Sequence, residues 1–374
     1  MTDIFAVQDD VAAAIIDALQ IHVSANPTRG RPTENTEAYV LFLRAKASIN
    51  TPALQVAEGF LLQAIELDPK FAEAYEWLAY VYWRQAGQFV TFAEAQKLSG
   101  EAAAKALAID ADLVFAQAMY QVGNIETYSH LAEIEAFERV VREQPSNTTP
   151  LRALIFDLTV AGYLREALGL AERYIELEPL SSSANYRLSE VLYAVGRTSE
   201  AMAALELARQ LDSEFRNWEI GEMNLVEKRD DIAIVHFEAF LRQRNADSAW
   251  VRELVSGARD PITGQAYLDR RIPQIVASMP AEEAYGWQMI LLKWYLYLGF
   301  LDRYFELILD LDRTDSIWTD ADNPVQAGTV YQRFAFTTHP KYLDVVESMG
   351  IIDIWEQRGP PDFCEKVDGQ WVCE

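Results

Sequence analysis

The chain has 374 residues, 50% of them hydrophobic and 11% aromatic, enough apolar side chain to build an extensive core and to exclude general disorder. Its 57 acidic residues outnumber 32 basic ones, for a formal net charge of −25, and no run of Lys and Arg interrupts the excess. Such a surface repels phosphate backbones and anionic lipid, which excludes nucleic acid as a partner and disfavours docking on a membrane.

The opening DIFAVQDDVAAAIIDAL reads as an amphipathic helix within residues 1–24, with Asp3, Asp9 and Asp10 where a secretory leader would carry positive charge. A helix entered so abruptly is expected of a piece cut from a longer chain, carrying the end of an upstream domain. No apolar run approaches the roughly 20 residues that span a bilayer. The densest, 289–300, is broken by Lys293.

From residue 36 to 245 one grammar recurs. AIELDP, ALAIDA, VVREQP, YIELEP, ARQLDS and FLRQRN end at residues 69, 111, 145, 179, 213 and 245, so the steps are 42, 34, 34, 34 and 32. A period of about 34 residues belongs to the helix-turn-helix unit of the tetratricopeptide repeat. Within the unit 148–181, Gly162, Ala167, Tyr174 and Pro179 stand where that pattern wants a turn glycine, a small residue, a bulky residue and a terminating proline. The next has Ser189, Gly196, Ala201 and Ala208; the first has Ala57, Ala64 and Pro69; the second has Leu78, Ala79, Tyr82 and Ala106, with eight extra residues between its helices. Small residues let paired helices approach, and Pro stops the second helix because it lacks an N–H. No unit can bury its apolar face alone, so an all-α superhelical stack is expected.

Past residue 245 the pattern weakens. Residues 246–312 read as diverged helical repeats: a short pair or irregular joint punctuated by Pro261, Pro273 and Pro280, then a seventh unit over 284–312 with Gly299 at its turn. Residues 313–374 read as a C-terminal cap, with helices near 325–335 and 340–356 before a cysteine tail. Cys364 and Cys373 flank Asp368-Gly369, a hairpin-turn signal, so a local disulfide is expected, with free thiols as the alternative. A disulfide implies an oxidising compartment. Zinc would need two further ligands of the same kind, which the tail lacks.

The opening, TEAYVLFLRAKASI, GYLREAL, ELEPLSSSANYRLSEVLYAVGRTSEA and the ending HPKYLDVVESMGIIDIWEQRGPPDFCEKV together resemble the C-terminal half of bacterial membrane-anchored signalling proteins. In those, a winged-helix or class III adenylate cyclase domain precedes a membrane pass, a TolB-like domain and tetratricopeptide repeats. Trp355, Gly359, Pro361, Asp362, Phe363 and Cys364 match the W-x-x-x-G-x-P-D-F-C element that closes such arrays. The resemblance implies the periplasmic face of a membrane-anchored parent, a cytoplasmic one being the alternative. It also implies a module that regulates output domains absent here.

No catalytic constellation emerges. His22, His130, His236 and His339 lie far apart without H-x-x-x-H spacing, and there is no nucleophile elbow and no phosphate-binding glycine loop. The stretch 310–323 gathers Asp310, Asp312, Asp315, Asp320 and Asp322 but lacks the Gly and Glu of a calcium loop, and reads as solvated. No enzyme activity, cofactor or metal is expected.

In the repeat register, the groove-facing positions of the leading helices are Tyr80, Trp83, Arg84, Arg152, Phe156, Tyr186, Glu190 and Tyr193, with Trp218 one place off. Aromatics anchor peptides well, and arginines hold carboxylates. These residues are therefore the candidate site for a protein or peptide partner. The competing reading has the same aromatics packing between repeats or against the cap. Two further functions stay open: a small-molecule sensor enclosed by the superhelix, and a homodimerising scaffold for an output domain.

Overall fold

The computed structural model describes residues 32–49, 54–86, 90, 92–124, 129–212, 217–279, 284–310, 324–331 and 333–374. The expected helix of 1–24, His22 and all of the acidic stretch except Asp310 lie outside them. The described residues are almost entirely helical and fall into two compact units, one within 32–85 and 94–124, the other within 86–93 and 129–374. No described helix is long and apolar enough to cross a membrane.

The first unit contains α1 (Thr36–Ser48), α2 (Leu54–Leu67), α3 (Ala72–Gln85), most of α4 (Phe92–Ile109) and α5 (Val114–Gly123). Asn35 starts α1 by accepting the backbone N–H groups of Glu37 and Ala38. Ala57 and Ala64 are completely buried, which lets α2 lie close against α1 and α3. The core is aromatic: Phe42 meets Phe71 at 4.9 Å, and Tyr80 meets Phe115 at 5.5 Å between ring centroids. The backbones of α4 and α5 nearly touch. A Cβ on Gly123 would stand 2.6 Å from the Gly100 nitrogen, so only glycine fits there.

Leu113, at the N-cap of α5, has no side-chain acceptor, and the buried carboxylate of Glu76 on α3 takes the Ala116 N–H instead at 2.9 Å. This long-range cap ties α3 to α5. Glu76→Ala is expected to cost about 1–3 kcal/mol by stranding a buried donor, and Glu76→Gln, which keeps an acceptor oxygen, to cost less. Urea unfolding followed by circular dichroism checks the order.

The second unit begins with α6 (His130–Glu143), α7 (Thr148–Ala161), α8 (Leu164–Leu177), α9 (Ser182–Ala194), α10 (Thr198–Leu211), α11 (Asn217–Val226) and α12 (Asp230–Gln243), each packed on the next. Ser129, Asn147 and Ser181 cap α6, α7 and α9 at their N-termini. Gly162, Gly196 and Gly299 occupy the predicted turn positions with φ of 87°, 84° and 90°. Ala167, Ser189, Ala201 and Ala208, the predicted small residues, are fully buried at the helix pairings.

Four further helices continue the stack: α13 (Ala249–Ala258), α14 (Gly264–Ala277), α15 (Ala284–Tyr297) and α16 (Leu301–Leu309). Pro273 sits inside α14. A proline there forfeits one backbone hydrogen bond; burial of Leu268, Ile272 and Ile275 on the same helix holds α14 together around it. The chain then turns back. α17 (Pro324–Tyr331) lies against α7, α9 and α15; α18 (Arg333–Thr337) follows; α19 (Tyr342–Ser348) meets α16; and α20 (Ile351–Arg358) returns to α6 and α7. Strands β1 (Cys364–Val367) and β2 (Gln370–Cys373) end the unit as an antiparallel hairpin. Its turn has Asp368 and Gly369 at φ of 50° and 81°, as an Asp-Gly hairpin requires. Cys364 and Cys373 are joined as a disulfide.

Candidate functional site

The leading helices α7, α9 and α11 present one face of the second unit, and its polar residues are buried. Arg187 donates to Glu190 Oε2 at 2.6 Å, and its guanidinium lies 5.2 Å from the centre of the Phe156 ring. The other Glu190 oxygen accepts a hydrogen bond from the Gln326 side-chain amide on α17. Trp218 Nε1 donates to Glu222 Oε1 at 2.9 Å, and Lys293 Nζ from α15 approaches the same oxygen at 3.2 Å. Trp218, Trp250, Trp287 and Trp294 pack edge-on or tilted around this pair. Tyr193 donates to Glu227 at 2.6 Å; burial first and that carboxylate second push its phenol well above the usual range.

These placements differ from an open groove. Of the predicted residues, Arg152, Phe156, Glu190, Tyr193 and Trp218 are buried and Tyr186 is partly buried. What lies over them is the chain itself: α17 on α7 and α9, and α15 on α11. Val325, Ala327 and Val330 of α17 are at most 2% exposed. Residues 325–330 of α17 are all buried, so this helix fills the face, and Gln326 supplies a polar contact. Tyr80, Trp83 and Arg84 belong to the first unit, where Tyr80 is core and Arg84 donates to the Ile49 carbonyl at 3.1 Å.

The tail motif acts at the turn between α7 and α8. Trp355 Nε1 donates to the Ala161 carbonyl at 2.8 Å, using an acceptor left over at the end of α7. Asp362 accepts from the Arg165 backbone at 2.7 Å and from its guanidinium at 2.5 Å, while its own N–H donates to the Gly162 carbonyl at 3.0 Å. The Tyr163 hydroxyl donates to the Gly359 carbonyl at 2.6 Å. A side chain at Gly162 would reach within 2.8 Å of the Phe363 ring and 3.0 Å of Pro361. Gly162 is thus needed for its left-handed backbone and for the room it leaves. Arg358 completes the clasp by pairing with Glu138 at 2.6 Å and Glu166 at 3.1 Å.

A third cluster was not foreseen. His130 and Glu133, one turn apart on α6, meet Asp157 of α7, with all three side chains buried and one donor atom from each within 4.8 Å of the others. Burial pushes the His130 imidazole down to about 4, against the upward pull of the Glu133 carboxylate. A search confined to paired histidines passes over His-x-x-Glu, whose spacing also places two donors on one helix face.

No protein-family model matches the chain, and no curated protein matches it. Among solved structures it is similar to YrrB, described as a tetratricopeptide protein with an unusual peptide-binding site, at 21% identity over 49% of this chain and 90% of that one, with a TM-score of 0.29. It is also similar to MamA of Desulfovibrio magneticus RS-1, at 14% identity over 57% and 98% with TM-score 0.29, and to a thermophilic tetratricopeptide protein of Thermus thermophilus, at 16% over 59% and 97% with TM-score 0.30. Paired antiparallel helices at a 34-residue interval, with glycine turns and buried small residues in register, define an all-α fold of the tetratricopeptide-repeat class.

Proposed function

We propose that this chain is a non-catalytic protein-interaction module whose second unit recognises a short, largely apolar helix on the face formed by α7 and α9. The observation that carries this reading is α17 itself. Eight residues of helix rest on that face, anchored by Val325 and Val330 and by Gln326 on Glu190, so the surface accommodates a helix in cis. A partner helix of similar pattern would compete for the same place. We further propose that the module serves a membrane-anchored bacterial signalling protein on its periplasmic side. The W-x-x-x-G-x-P-D-F-C resemblance supports this, and so does the Cys364–Cys373 disulfide, since such bonds persist in oxidising compartments.

A tethered helix faces its seat at an effective concentration of about millimolar, so a free peptide with about 10 µM affinity is weakened roughly a hundredfold by the resident one. The test uses a fluorescent peptide of residues 322–336 and the variant Val325→Glu with Val330→Glu, which evicts α17. The variant should bind the peptide at least about tenfold more tightly than the unaltered chain, with helix content retained. Equal, undetectable binding to both proteins by fluorescence anisotropy would overturn the reading and leave α17 as a permanent part of the core.

A further inference from the structure

We propose that His130, Glu133 and Asp157 form a structural site for one divalent first-row transition-metal ion, riveting α6 to α7 beneath the tail clasp. The trio supplies an imidazole and two carboxylates from two different helices, and each side chain is more than nine-tenths buried.

The distances suit an ion. Two donors bonded to a metal at about 2.1 Å, at right angles, stand about 3.0 Å apart, and a tetrahedral pair stands about 3.4 Å apart. His130 Nδ1 and Asp157 Oδ1 are hydrogen-bonded at 2.9 Å, close to the separation of a right-angled ligand pair, so an ion would take the place of the shared proton. One donor atom of Glu133 lies within 4.8 Å of both. The imidazole selects against calcium and magnesium, which take oxygen ligands, and favours zinc, cobalt, iron or nickel. With three protein ligands, a bound water would complete the coordination, and the ion would enter as the unit folds.

The location gives the ion a purpose. α6 and α7 are the helices on which α20 docks, and the carbonyl of Ala161 that receives Trp355 lies on α7, one turn from Asp157. Fixing α6 against α7 therefore fixes the seat of the tail.

The experiment titrates the chelator-stripped, full-length chain with Co²⁺, whose visible absorption reports its ligands, and with Zn²⁺ in competition. About one equivalent of Co²⁺ should bind, Zn²⁺ should displace it, and Tm should rise by roughly 5–10 °C at a hundredfold excess over Kd. Glu133→Gln and Asp157→Asn should each weaken Co²⁺ binding by at least about tenfold. Three results overturn the proposal: no stoichiometric Co²⁺ or Zn²⁺ uptake by the folded chain, uptake with an unchanged Tm, or undiminished affinity in both variants. The unaltered chain decides the first two even should a variant fail to fold.

Discussion

Replacing Trp355 with Ala is expected to destabilise the second unit by about 3–5 kcal/mol, the cost of emptying a large buried aromatic site. Trp355 is 1% exposed, stands 5.1 Å from the Trp371 ring and donates to the Ala161 carbonyl at 2.8 Å. Trp355→Ala therefore loses packing and strands an acceptor, whereas Trp355→Phe loses chiefly the hydrogen bond, worth about 1–2 kcal/mol. Gly162→Ala attacks the same clasp from the other side: it strains a residue at φ 87° and drives a methyl group into Phe363. Because the two positions share one contact surface, their effects should fall short of adding by more than about 0.5 kcal/mol. Chemical unfolding of both single variants and the double supplies the cycle. A Trp355→Ala cost under about 1 kcal/mol would mean that the tail is only loosely attached.

The second large effect is expected at Lys293. Its ammonium meets Glu222 at 3.2 Å in a site where both side chains are more than 90% buried and where Trp218 Nε1 donates to the same oxygen. Lys293→Met removes the countercharge and leaves the carboxylate enclosed, at a cost of about 3–5 kcal/mol. Adding Glu222→Gln should recover most of the loss, because a neutral amide keeps an acceptor for Trp218 without a buried charge. Thermal unfolding of the three variants checks it, and a neutral Lys293→Met would show that the pair contributes nothing measurable. Tyr304 is a second reporter of that charge: burial foremost, and Glu222 after it, hold its phenol well above the usual range.

Much of the fold was legible because tetratricopeptide units are built from local rules. Gly162, Gly196 and Gly299 mark turns through their own backbone angles, and Asn147 and Ser181 open helices by capping groups two or three residues away. The Asp368-Gly369 turn set between two cysteines is equally local. Pro273 is the exception to such local rules: its preference is to break a helix, and burial of Leu268, Ile272 and Ile275 overrides it.

The candidate site was legible only in part. Repeat register correctly brings Phe156, Glu190, Tyr193 and Trp218 to leading helices, but register says nothing of what covers them. Their cover comes from residues such as Gln326, separated from Glu190 by 136 positions, and Lys293. His130 and Asp157 likewise lie 27 residues apart, and neither is conspicuous until α6 and α7 are paired.

By itself, the order of residues determined an all-helical protein with repeating pairs, their interval, their turns and the hairpin of the tail, because each depends on groups within a few positions of one another. Only tertiary structure decided that the second unit's chain turns back to fill its own face, that Gly162 must make room for Phe363, and that an imidazole and two carboxylates converge. Those outcomes depend on which distant surfaces meet, and the pairing of surfaces is settled by burial and shape across the whole unit.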